Sequence, residues 1–269
     1  MLITCYLRGR AKVQARPPQQ QGESHIFKTM KEIRFFYVPE ARQVQELPAE
    51  EATHALRVLR MKTGDKMCLM DGKGTFYQAL VGLTTNKKCF YQIQEVLPQG
   101  KTWNGRIHLA IAPTKMMDRM EWLVEKVTEV GFDEITFLNC KFSERQQIRT
   151  DRVEKIIVSA MKQSRKAWKP IVNGMTDFKT FVSEERKGKQ YIAHCYPEIP
   201  RTDLFEELGR LNPEENVTIL VGPEGDFSME ELKLAETCGY HSISLGNSRL
   251  RTETAGLMAV TMAQIIKRR

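Results

Sequence analysis

No run of about 18 apolar residues occurs in the 269-residue chain, so the sequence predicts neither a membrane-spanning helix nor a membrane partner. Cysteine is scarce and scattered. Its six positions, 5, 68, 89, 140, 195 and 238, include no CxxC pair and no ligand-like spacing. A disulfide framework and a zinc site are therefore not expected, and no metal is assigned. The thiols suit a reducing cytoplasm, as six small buried hydrophobes. GxGxxG and GxxxxGK[ST] are both missing, which takes the usual fingerprint away from dinucleotide and P-loop enzymes. There is no internal repeat. Low complexity is missing too, since 41% hydrophobic, 28% charged and 8% aromatic residues make an ordinary globular composition. Its length fits one large domain or two modest ones.

What the chain has in excess is positive charge, with 41 Lys and Arg against 33 Asp and Glu, a net +8. Residues 1–100 hold 15 basic and nine acidic side chains, residues 101–170 hold 14 and nine, and residues 171–269 hold 12 and 15. The first two segments are thus +6 and +5 and the last −3, which points to a polyanion gripped by the first two thirds. Residues 1–29 have four basic residues and no acid before Glu23, then a Pro/Gln stretch that does not pack. They read as a disordered leader or upstream reading frame, with Met30 as the initiator; Leu2 to Leu7 is too short for a secretory signal.

Residues 30–98 carry short strand-like runs (IRFFYV, KMCLMD, TFYQALVGL, CFYQIQEVL) separated by turn signals, and one helix, EEATHALRVLR, with Ala52, Ala55, Leu56 and Leu59 on a face. That predicts a small antiparallel barrel. Pro98-Gln99-Gly100 reads as a linker. From residue 99 onward strands and helices alternate, which predicts a mostly parallel sheet covered by helices, and so an α/β chain overall. In DRMEWLVEKVTEVG the apolar stripe is Met120, Leu123, Val124, Val127 and Val130, with Asp118 and Glu121 as a capping box and Gly131 as the stop. SMEELKLAETCG repeats the device with Ser228, Glu231 and Gly239. Two glycine-bearing loops follow predicted strands, at residues 221–227 and 245–255. Ligands of open α/β sheets sit at such strand ends, where glycines let backbone approach them.

GPEGDFSMEEL followed by LGNSRLRTETAGL closely resembles the C-terminal signature of the RsmE family, the SPOUT-superfamily 16S ribosomal RNA uridine-N3 methyltransferases. Upstream, KMMDRMEWLVEKVTEVG, FSER at 142–145 and QSRKAWKP at 163–170 look like the same family's second domain. THALRVLRMKTGDK and LMDGKG look like its N-terminal PUA-like barrel. The resemblance covers about residues 33–267. It implies a SPOUT domain whose C-terminal stretch forms a trefoil knot, a homodimer, and S-adenosylmethionine as cofactor. It also implies 16S ribosomal RNA of the small ribosomal subunit as substrate. The cofactor pocket it implies comprises Leu220, Val221, Gly222, Pro223, Glu224 and Gly225 with Leu245, Gly246, Leu250, Arg251, Thr252, Thr254 and Ala255. This chain departs from the family's pattern at Asp226 (usually a second Gly), at Asn247-Ser248-Arg249 (commonly a turn with Pro), at Lys162 (often acidic) and at Cys195 (often Glu). Without the resemblance, an RNA methyltransferase, a non-catalytic RNA-binding assembly factor and a nucleotide-cofactor oxidoreductase would all compete.

The reaction sets its own demands. Uridine N3 becomes nucleophilic only as its imide proton leaves, so an enzyme must position the base and stabilise charge on the flanking carbonyls. Arg251 suits the second task and Glu253 or Glu224 the proton; a first-turn carboxylate favouring the helix N-terminus is the competing reading of Glu253. For RNA contacts the candidates are Arg34, His54, Arg57 and Arg60 on the barrel, with Lys73 at a hairpin tip. Lys115, Arg119, Arg145, Arg149 and Arg165 join them from the second domain, read as a phosphate-gripping set without matching acids nearby. If residues 1–29 are only a leader, deleting them leaves RNA affinity and the slope of log affinity against log salt unchanged in a filter-binding titration. A weaker affinity with a shallower slope would identify a basic arm instead.

Overall fold

The computed structural model describes residues 33–268. The leader expected at 1–29, Met30 included, and Cys5 lie outside the described residues. β1 (Arg34–Tyr37), β2 (Lys66–Met70), β3 (Thr75–Thr84) and β4 (Cys89–Pro98) form a four-stranded sheet in that order. β3 pairs antiparallel with both β2 and β4. Between β1 and β2 the chain crosses to the other edge, where Glu46 bridges Phe90 and the Leu47 and Tyr91 amides donate to the Cys89 and Gln45 carbonyls at 2.9 and 2.8 Å. This crossing folds the sheet toward the expected barrel, around a core that includes Phe36, Leu47, Met67, Leu69 and Tyr91. The expected single helix is α1 (Ala49–Thr53) running into a π-helical turn, His54–Val58, with the Leu59 amide bonded to the His54 carbonyl at 3.0 Å. Its expected face does turn inward, Ala52 and Ala55 fully and Leu56 and Leu59 partly.

The seven-stranded sheet that follows is parallel throughout. Its strands are β5 (Ile107–Ile111), β6 (Glu134–Asn139), β7 (Ile171–Asp177), β8 (Lys189–Ala193), β9 (Thr202–Asp203), β10 (Val217–Val221) and β11 (His241–Ser244). The order is β7-β6-β5-β10-β8-β11-β9, so β10 sits between β5, laid down much earlier in the chain, and β8, two strands before it. β5 and β10 are buried at every position, as strands covered on both faces must be. Helices α2 (Met117–Val130), α3 (Thr150–Ser164), α4 (Phe178–Ser183), α5 (Leu204–Gly209), α6 (Met229–Thr237) and α7 (Thr252–Lys267) alternate with the strands.

Local signals hold with one exception. Ser228 and Glu231 make the reciprocal box at the start of α6, and Gly131 ends α2 at φ +108°. Asp118 and Glu121 do not form a box. α2 starts two residues early, with Met116 at its cap position, so Asp118 falls inside the first turn, where its carboxylate cannot cap. Glu121 instead accepts from Arg152 of α3 at 2.8 Å. The cysteines also need correction: Cys68, Cys89 and Cys140 are buried free thiols, but Cys195 and Cys238 are exposed, on loops that end a strand and a helix.

The barrel meets the second sheet through its DGKG turn. Lys73 bridges Trp168, the Gly74 amide donates to the Ala167 carbonyl at 3.0 Å, and the Lys169 amide donates to the Gly72 carbonyl at 2.9 Å. Asp71 holds the turn in shape by accepting from the Lys73 and Thr75 amides at 2.7 and 3.0 Å. Beside it, Lys162 of α3 bonds Glu51 of α1 at 2.7 Å, largely out of water. Gly74 is at φ +97°, and a Cβ there would lie 2.3 Å from the Trp168 ring. Gly74→Val should therefore lose about 2–4 kcal/mol, from overpacking and the left-handed backbone together, in urea unfolding. Gly100→Val is the control, since no atom lies within 4 Å of its would-be Cβ, and should change little.

Candidate active site

Three strands adjacent in the sheet, β10, β8 and β11, send the loops at their carboxyl ends around one cleft of about 1110 Å³. The β10 loop contributes Val221 to Asp226, the β8 loop contributes Ala193 to Tyr196 and on to Arg201, and the β11 loop contributes Ser244 to Arg251 before α7 begins. This is the crevice where a parallel sheet holds its ligand. Five bonds tie the loops together. The Thr252 hydroxyl donates to the Gly222 carbonyl at 3.2 Å, and the Ala112 amide to the Val221 carbonyl at 3.0 Å. Glu224 accepts from the Lys115 amide at 3.1 Å. Asp226 accepts from the Cys195 amide at 2.7 Å, and the Tyr196 hydroxyl donates to the Phe227 carbonyl at 2.7 Å.

Of the expected pocket residues, Val221, Gly222, Pro223, Glu224, Gly225, Leu245, Gly246, Leu250, Arg251, Thr252 and Ala255 line this cleft. Leu220 does not; it is fully buried in β10 and belongs to the core beneath. Thr254 is not among the lining residues and is half-buried on α7. Glu253 is at the wall, its carboxylate 3.7 Å from the Arg119 Nε, with Oε2 sealed from solvent and without a hydrogen-bond partner. Arg251 is exposed at the cap position of α7. Backbone can face a ligand at Gly246, which has φ +104° and no atom within 4 Å of its would-be Cβ.

Sequence reasoning missed the β8 wall, because HCYPEIPR carries none of the glycines that mark the other two loops. His194 there accepts the Tyr196 amide at Nδ1 (3.3 Å), which assigns the proton of its neutral form to Nε2. Burial pushes that imidazole below its ordinary range, and Nε2 has no partner. Arg119, read as an RNA contact, lines the cleft instead of standing apart from it.

The basic candidates do not form one unpaired set. Lys115 pairs with Glu144 at 3.0 Å, Arg119 with Glu253, and Arg149 with Asp151 at 2.8 Å, so the expected lack of matching acids is wrong for these three. Asp151 lies two residues from Arg149 and was legible in the chain, whereas Glu144 and Glu253 reach Lys115 and Arg119 only through the fold. Arg145 donates to the Thr114 and Lys115 carbonyls, at 3.2 and 2.6 Å, and braces the loop after β5. Arg165 caps α3 in the left-handed conformation with its guanidinium over the Phe35 ring, 5.6 Å from the centroid. On the barrel Arg34, Arg57 and Arg60 are exposed, while His54 is half-buried near the Phe36 ring. Lys73 belongs to the seam with Trp168.

Asp226 has φ +65°, a conformation open to Gly and tolerated by Asp, which accounts for its standing where a glycine is usual. Its carboxylate then does what a glycine cannot, holding both the Cys195 and Phe227 amides. Asp226→Gly keeps the backbone conformation and removes only those bonds. It should lose about 1–3 kcal/mol in chemical unfolding. The Cys195 amide should also exchange its hydrogen markedly faster.

Comparison with known proteins follows the same division of the chain. The model of the RNA methyltransferase domain matches residues 101–264, and that of the RNA methyltransferase PUA domain matches residues 47–93. A crystal structure of a probable rRNA-methyltransferase from Porphyromonas gingivalis is 39% identical, with a TM-score of 0.82 over 87% of this chain and 98% of that one. A ribosomal RNA small subunit methyltransferase E from Neisseria gonorrhoeae, solved bound to S-adenosyl methionine, is 25% identical, with a TM-score of 0.76 over 87% and 97%. The Rickettsia conorii protein of that name is 24% identical over 82% of this chain and 89% of its own. Among the described residues no helix is long and apolar enough to cross a membrane, and no cluster of His, Cys, Asp or Glu could hold a metal ion. A PUA-type barrel, a parallel sheet and a cleft on three adjacent strand ends thus come together in a chain that belongs to the RsmE family of RNA methyltransferases.

Proposed function

We propose that this protein methylates N3 of a uridine in 16S ribosomal RNA of the small ribosomal subunit, with S-adenosylmethionine as donor. Residues 30–98 are the PUA-like RNA-binding barrel and residues 99–269 the SPOUT domain. It works in the cytoplasm as a homodimer. The observation that carries the reading is the cleft itself, bounded by both family loops and entered by Gly246 backbone with nothing over it. Its size and glycine-lined wall fit the cofactor, which when bound supplies an electrophilic methyl group on a sulfonium. Val221 to Gly225, Leu245, Gly246 and Leu250 would hold it. The central place of β10 and the packing of α7 back onto α2 and β5 support a C-terminal trefoil knot. Support for the dimer comes from the apolar side chains that α7 and α2 leave in water, Met258, Ile265 and Trp122.

The chain's own residues have three tasks. The loops exclude water and orient the base against the cleft. Arg251 donates its fork to the carbonyl oxygen on which charge develops as N3 loses its proton. Glu253 receives that proton; Glu224 is less suited, because it is exposed and already accepts the Lys115 amide. The test is methylation of small subunits that lack the modification, followed by mass spectrometry of the nucleosides. 3-Methyluridine is expected, and Glu253→Gln should lower kcat about 10²–10⁴-fold with S-adenosylmethionine affinity nearly unchanged by calorimetry. A methyl group on another atom overturns the N3 assignment, and no cofactor binding overturns the whole reading.

A further inference from the structure

The FSER segment after β6 puts an aromatic residue against Gly225, in one of the loops that line the cleft. Phe142 is 44% exposed, yet it is firmly held. A tight turn fixes its backbone: the Ser143 amide donates to the Cys140 carbonyl and the Cys140 amide to the Ser143 hydroxyl, both at 3.0 Å. The Lys141 amide donates to Glu231 of α6 at 2.8 Å, which ties the turn to the helix that follows the GPEG loop. Phe142 also lies against that loop, since a Cβ on Gly225 would come within 3.1 Å of its Cβ. The Lys141 ammonium sits 5.8 Å from the ring centroid. A lone exposed apolar residue is ordinary on a protein surface. This one stands on a hydrogen-bonded turn, touches a cleft loop, and lies on the strand end next to the loop that Arg145 braces.

We infer that Phe142 is a stacking platform for an unpaired base of the RNA substrate, beside the base that enters the cleft. This rests on the proposed RNA methylation. A ring exposed to this extent offers a sequence-tolerant surface to any base lifted from its helix, and such stacking is how proteins commonly hold single-stranded RNA. Charge contributes little at this spot, because Lys141 already pairs with Glu230 at 3.1 Å and Lys115 with Glu144 at 3.0 Å. Stacking without phosphate contacts has a distinct signature: affinity falls when the ring is removed while its salt dependence stays the same.

The experiment uses the full chain and a single-stranded ribosomal RNA fragment that the wild-type protein methylates. Phe142→Ala should weaken RNA binding roughly fivefold to a hundredfold, the range for loss of one base–aromatic stack. The slope against salt, S-adenosylmethionine affinity and the sedimentation coefficient should not change. Phe142→Trp should restore affinity, and its fluorescence should be quenched by the RNA fragment but not by a blunt duplex. RNA affinity unaffected by Phe142→Ala, or a Trp signal unmoved by RNA, overturns the inference while leaving methylation intact. Conversion of Phe142→Ala to a monomer also overturns it, because the ring would then be covered by a second copy. If the wild-type protein methylates no RNA, it is the underlying reading that fails.

Discussion

Everything at the cleft depends on where β10 lies. It pairs with β5 on one side and β8 on the other, although the chain reaches it only after both are made. A strand buried at all five positions between two parallel neighbours cannot shift register without exposing apolar side chains or breaking two ladders. The glycines at 222 and 225 are thereby fixed relative to the β8 wall and the β11 loop. The site needs no long-range scaffolding beyond this, since every loop that bounds it begins within one or two strands of β10. The cost is kinetic: a sheet whose centre is supplied late rests on non-local pairing, which slows folding.

The loops themselves are joined side chain to backbone more than backbone to backbone. Asp226, Thr252, Glu224 and Tyr196 each reach a neighbouring loop's main chain. Such bonds let the loops keep irregular backbone near a ligand while their polar groups remain satisfied. Glu253 Oε2 and His194 Nε2 are the exceptions at the cleft, buried and unpartnered. Unsatisfied polar atoms of this kind are costly, and two of them facing one cleft agree with a wall built for a ligand.

Much of this could be read in the residues. The largely apolar runs of β5 and β10, each with one polar residue, the Ser228–Glu231 box and the two glycine loops all carried local signals, and both glycine loops came to the same cleft. What escaped had no such signal. β7, IVNGMTD, is an edge strand with no fully buried position, so its pattern is neither alternating nor apolar. α4 and α5 have six residues each, too few for a period, and only their caps, Asp177 and Asp203, announce them. Asp118 misled because a boxlike spacing is a weak signal when the helix can begin two residues sooner. The β8 wall and the Arg119–Glu253 pair arise from strand order, which no local pattern encodes.

Lys162 faces Glu51 across the seam between barrel and sheet. Neither residue is intelligible alone. Truncating either would leave the other as an uncompensated charge out of water, a loss of about 3–5 kcal/mol for a pair of this kind. The seam therefore works as a lock that recognises its own key. A basic residue in place of Glu51 would set like charges together, so positions 51 and 162 can change sign only as a pair.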